Sequence, residues 1–114
     1  MKTIRERIQD YQEEILRGDL PPTRAAEILT EISALLGSCN EEITKRDMEY
    51  NKILLEWYDK ETTANRAKIR ANTTPEYEAM RTARNIKELA IELIRSLKFF
   101  LKAKEDEFKS GKYQ

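Results

Sequence analysis

Histidine is absent from this chain of 114 residues, and cysteine occurs once. The first absence removes the usual general base, the usual imidazole metal ligand and every nucleophile triad built on them. The second excludes an internal disulfide framework and points to a reducing compartment. Glycine and proline number three each, and all six fall near expected helix ends or interruptions, which leaves long stretches of good helix formers between them. No apolar run approaches the ~20 residues that a bilayer crossing needs, and Met1 to Gln12 lacks the continuous apolar stretch of a signal peptide. No glycine-rich phosphate loop or dinucleotide fingerprint is present. The expectation is a protein of the cytoplasm with no catalytic residues, no cofactor, no metal, no small-molecule substrate and no membrane association.

What is present is charge and helical periodicity. Charged residues make up 37% of the chain and hydrophobic ones 39%, a balance too polar for a thick core and suited to slender helices solvated over much of their surface. The net charge is zero but unevenly spread. Residues 1–61 carry nine Lys/Arg against fourteen Asp/Glu, residues 62–104 ten against four, and the last ten residues two against three.

Apolar residues recur at steps of three, four or seven. Ile43, Tyr50, Leu54, Trp57, Ala64 and Ala67 form one stripe, and Ile86, Ala90, Leu93, Leu97, Leu101 and Phe108 form another. Each stripe marks one face of a helix that must be covered. Asn72-Thr73-Thr74-Pro75 supplies turn and cap chemistry between them. The fold expected is all-α: a long antiparallel, coiled-coil-like helical hairpin over residues 37–110, turning at 72–75, with a frayed tail at 111–114. Its outgoing arm is read as one helix from Ile43 to Ala71. Pairing about a turn near Thr73 joins positions whose numbers sum to roughly 146, which sets Leu97 beside Glu49 or Tyr50.

Residues 1–36 read as a short N-terminal helical hairpin. Thr3 with Glu6 forms a capping box ahead of the stripe Ile4, Ile8, Tyr11 and Ile15. Gly18 is placed for a left-handed C-terminal cap, and Asp19-Leu20-Pro21-Pro22 cannot continue a helix. A second helix opens at Pro22 or Thr23 with the stripe Ala25, Ile28, Ile32, Leu35 and Cys39. Gly37-Ser38 interrupts the pattern without shifting its phase, so it reads as a bend in one long helix, with a true break as the alternative. Cys39 lies in phase with the core and reads as a small buried apolar group. A two-helix hairpin has too little core to stand alone, so the N-terminal helices or a second copy must cover it, and homodimerisation is expected to complete the fold.

Two function classes follow. Met48, Tyr50, Trp57 and Tyr58 lie within three turns, and large amphipathic rings on a thin scaffold are the usual anchors of protein–protein contacts. The first class is therefore a non-enzymatic interaction module with Tyr50, Trp57, Tyr58, Phe99 and Phe100 as candidate protein-binding residues. The second is nucleic-acid binding by a basic hairpin tip, carrying Arg66, Lys68, Arg70, Arg81, Arg84 and Lys87, and by the stripe Arg95, Lys98 and Lys102, which could neutralise phosphates beside Phe99. Interleaved acids and a neutral total argue for the first.

The segment TANRAKIRANTTPEYEAMRTARNIKELAIELIRSLKFFLKAKEDEF, with a basic run, a tyrosine-bearing turn and a long final helix, resembles the C-terminal half of small helical proteins encoded by bacteriophages near recombination and replication genes. The resemblance implies a phage early protein acting in the host cytoplasm as an adaptor or inhibitor of DNA-processing or defence machinery. It transfers no catalytic residues.

Overall fold

The computed structural model describes residues 1–112 and is helical throughout, with helices α1 (Ile4–Leu16), α2 (Pro22–Lys60), α3 (Ala64–Ala71) and α4 (Pro75–Lys112). No described helix is long and apolar enough to cross a membrane. The long helices α2 and α4 pack against each other, and the chain groups into two compact units. The first contains residues 1–36 with residues 88 onward, and the second contains residues 37–87. Each unit is a three-helix arrangement, because α2 and α4 both contribute to it.

In the first unit, the Thr3 hydroxyl oxygen accepts from the Glu6 backbone N–H at 3.2 Å and its O–H donates to the Glu6 carboxylate at 3.1 Å. The cap forms where the sequence places it, with Glu6 bonded to the hydroxyl. Gly18 adopts φ +87°, the left-handed conformation that a residue without a Cβ takes at least cost. Its N–H returns to the Ile15 carbonyl at 3.3 Å, closing the last turn of α1. Proline then fixes the backbone for the start of α2, whose first bond runs from the Ala25 N–H to the Pro21 carbonyl at 2.9 Å. The core consists of Ile8 from α1, Ala25, Ile28, Ile32 and Leu35 from α2, and Ala90, Leu93 and Leu97 from α4. Each buried Ile or Leu side chain contributes about 1.5–3 kcal/mol relative to exposure. The N-terminal stripe is thus covered by the chain's own α4. Arg24 fastens α2 to α1 through a two-pronged pair with Glu14, at 2.6 and 3.0 Å, and reaches Glu27 on its own helix at 3.1 Å. This guanidinium holds the Glu14 carboxyl below the usual carboxylate range.

The second unit departs from the sequence reading in one respect. The arm expected as a single helix from Ile43 to Ala71 stops at Lys60, bends through Glu61-Thr62-Thr63 and resumes as α3. Thr63 is the cause at the local level, since its hydroxyl accepts from the Arg66 N–H at 3.2 Å and so starts a new helix. The turn at Asn72-Thr73-Thr74 forms as expected. Thr73 and Thr74 hydroxyls donate to the carbonyls of Arg70 and Ala71, at 2.8 and 2.6 Å, and Thr74 also accepts from the Tyr77 N–H to open α4.

The extra bend moves the register. Arg84 pairs with Asp47 at 2.7 Å and the Tyr50 and Tyr77 rings lie 5.6 Å apart, so paired positions sum to 131 and 127. The expected partnership of Leu97 with Glu49 or Tyr50 is replaced by burial in the first unit. At Gly37-Ser38 the helix does not break: α2 is one long helix from Pro22 to Lys60, as the first of the two readings expects. At the C-terminus α4 runs on through Gly111 to Lys112, and the remainder of the expected tail lies outside the described residues.

Candidate interaction surfaces

Helical phase sorts the candidate aromatic residues of the second unit into two groups. Tyr50 and Trp57 are seven residues apart on one face of α2 and are half-buried. The Tyr50 hydroxyl donates to the Asn72 side-chain carbonyl, while its ring leans on Tyr77 at an interplanar angle of 48°. Burial, reinforced by the neighbouring phenols Tyr77 and Tyr58, pushes its pKa up. Trp57 carries Lys60 Nζ at 5.3 Å and the Arg70 guanidinium at 5.7 Å from its ring centre, and Arg70 is in turn bonded to Glu61 at 3.3 Å. Cation–π contact of this kind holds α3 against the end of α2. Both rings are occupied with building the unit.

Tyr58 lies at the border of the other face, one turn after Leu54. It is 37% exposed and lies within one arc of α2 with Leu55, 64% exposed, and Met48, 57% exposed. Sequence reasoning counted Met48 among the large side chains but did not select it, and it missed Leu55. The available signal was phase: if Ile43, Leu54 and Trp57 face inward, apolar residues offset by half a turn have nothing in the chain to cover them. A shallow depression lined by Asn40, Thr44, Lys45, Met48 and Lys52 runs along the same side of α2. In the first unit, Phe99 is largely exposed and Phe100 is half-buried beneath Lys104, whose Nζ sits 5.7 Å from its ring. The structure does not place Phe99 and Phe100 in the same unit as Tyr58.

Of the candidate cations, about half are engaged inside the fold. Arg70 is held by Glu61 and Trp57, Arg84 by Asp47, and Arg95 by Glu92 at 2.5 Å. Arg81 lies over the Tyr77 ring at 5.9 Å. Lys87 is half-buried and close enough to the buried Cys39 to pull its thiol pKa down, against the larger upward push from burial. Arg66 and Lys68 on α3, and Lys98 and Lys102 on α4, are exposed and enter no ion pair among the described residues. The basic tip therefore shrinks to two free cations flanking the exposed Ile69.

In comparisons with known proteins, no family model matches the chain, and neither a curated protein nor a solved structure is similar enough to carry an argument.

Proposed function

We propose that this protein is a non-enzymatic helical interaction module that binds a protein partner through the outer face of α2 in its second unit. The observation that carries this reading is the row Met48, Leu55 and Tyr58, three large side chains on one helical face with more than a third of each in water. An apolar ridge rimmed by charges, here Lys45, Lys52, Glu56 and Asp59, is the form a helix takes when it packs against a groove or another helix. The partner is accordingly a protein offering an apolar groove or helix face with both signs of charge at its edge. The phage-like C-terminal segment directs the search to the DNA-processing and defence proteins of a bacterial cytoplasm, where an adaptor or inhibitor of this size would act.

The test is capture of partners from a nuclease-treated bacterial lysate, followed by measurement of the purified pair with the double variant Met48→Ser/Leu55→Ser. Both positions are exposed, so the variant retains helicity and melting behaviour, while affinity for the partner falls at least tenfold. Unchanged affinity would place the contact elsewhere. The alternative class, nucleic-acid binding, keeps Arg66 and Lys68 at the tip and Lys98 and Lys102 on α4, and its tip footprint is the one to test. It requires binding that weakens steeply with salt and is lost on Arg66→Glu/Lys68→Glu with the α2 ridge intact.

A further inference from the structure

The core stripe of α4 outlasts its cover. Ala90, Leu93 and Leu97 are buried, Phe100 and Leu101 are half-buried, and from Lys102 to Gly111 every residue is exposed. Phe108 continues the stripe seven residues after Leu101, in the phase of the buried side chains, yet is 74% exposed. A phenylalanine in core phase with no core is an unfilled contact.

The charges around it say what fills it. The sequence Leu101-Lys-Ala-Lys-Glu-Asp-Glu-Phe108 places its bases before its acids. Reversed and laid against itself so that Leu101 meets Phe108, it brings both lysines beside glutamates of the other copy, while Asp106 meets Ala103. On one flank of the seam Lys102 faces Glu105, on the other Lys104 faces Glu107, and two-fold symmetry repeats both pairs. Parallel pairing in register would set like against like. We propose that α4 residues 101–111 form an antiparallel, two-fold symmetric contact with a second copy of this chain, with Leu101 and Phe108 interleaved in the seam and Lys102–Glu105 and Lys104–Glu107 pairs closing its two sides.

Within one chain Lys104 reaches Glu107 at 3.4 Å and Glu105 reaches Lys109 at 2.8 Å. All four side chains are well exposed, and surface pairs of this kind exchange partners at little cost. About three helical turns bury less than the ~1,200 Å² of a standard interface, so the dimer dissociates at a Kd on the order of 10 µM and is weakened by salt. This surface shares no residue with the α2 ridge, so either reading stands or falls without the other.

The experiment is sedimentation velocity on the 114-residue chain from about 1 to about 200 µM, a range that brackets that constant. The wild type is expected to shift from monomer to dimer across it. Phe108→Ser, which disturbs no buried contact, remains monomeric. Lys102→Glu/Lys104→Glu and Glu105→Lys/Glu107→Lys are each monomeric alone, and an equimolar mixture of the two restores the dimer. A wild-type chain that stays monomeric at the top of the range would overturn the proposal, as would a dimer indifferent to Phe108→Ser or a mixture that fails to associate.

Discussion

The two units solve the same problem, three helical segments around one seam, with different side chains. The first fills its interior with Ile8, Ile28, Ile32, Leu35, Leu93 and Leu97, and its alanines are spacers between them. The second buries only Cys39, Ala67, Ala71 and Ala83, while Ile43, Ile53, Leu54, Trp57 and Ile86 sit half-covered around that narrow centre. Small residues let helix backbones approach closely, but they remove little area from water. What the second unit lacks in apolar burial it supplies with polar clasps: Tyr50 to Asn72, Arg84 to Asp47, Arg70 to Glu61, and two cations over Trp57. One unit is held by volume, the other by close approach and directional bonds. The second unit leaves more of its large side chains outside its own core, which is what the proposed partner surface requires.

The sharpest way to break this comparison is to delete equal volume from each unit. Ile32→Ala opens a cavity in a fully buried site and is expected to cost about 3 kcal/mol. Leu54→Ala, in a half-buried site of the second unit, is expected to cost only about 1 kcal/mol. Urea unfolding of the two variants measures both, and equal losses would mean that the units are not built differently. The reverse operation distinguishes them again. Ala71 is fully buried where α3 approaches its neighbours, so Ala71→Leu has no space to enter and should destabilise by about 2 kcal/mol through overpacking. A silent Ala71→Leu would show the second interior to be loosely filled.

Much of this was readable in advance because it is local. Thr3, Gly18, Pro22, Thr74 and Pro75 each act within a few residues of chain, and each sits at the helix end that its chemistry predicts. The stripes Ile28, Ile32, Leu35, Cys39 and Ala90, Leu93, Leu97 are buried as their period requires. The bend at Glu61–Thr63 was lost for a physical reason: alanine at 64, 67 and 71 suits a continuing helix and a new one equally, so the ladder stays in phase across a real stop. Thr63 carried the missing signal as a cap residue. Once that bend was overlooked, the register of α2 against α4 had to be wrong, since antiparallel pairing follows from where the chain reverses. The candidate site was read by residue type, which grouped Tyr58 with Tyr50 and Trp57 although of the three only Tyr58 is exposed. Separating inward from outward rings needs the partner helix, and no periodicity supplies that.

A smaller effect tests the directional bonds. Arg84 is more than half exposed, but it meets Asp47, whose carboxylate is mostly covered and has one oxygen, Oδ1, without a hydrogen-bond partner. Removing the guanidinium by Arg84→Ala leaves that carboxylate with less compensation, at an expected loss of about 1 kcal/mol. Cys39, buried in the same unit, provides a local readout: its thiol is shielded and its pKa raised, so alkylation in the wild type waits for opening of the unit. Arg84→Ala should accelerate alkylation by about fivefold, as a 1 kcal/mol loss dictates, if the bond stabilises this unit.

The smallest change is the one expected to stabilise. Gly37 lies inside α2 with ordinary helical backbone, since among the glycines only Gly18 has positive φ, and a Cβ placed on it meets nothing within 4 Å. Its missing side chain therefore relieves no clash and serves no left-handed turn, and what remains is the entropy that glycine loses on entering a helix. Gly37→Ala should raise stability by about 0.5–1 kcal/mol, seen as a higher urea midpoint at unchanged slope. Because Gly37 opens the second unit and Leu36 ends the first, the gain also asks whether α2 needs its flexibility there. A higher midpoint with intact partner binding would mean that the glycine is dispensable to both units. A higher midpoint with weakened binding would mean that the α2 ridge works only when the helix can yield at this point.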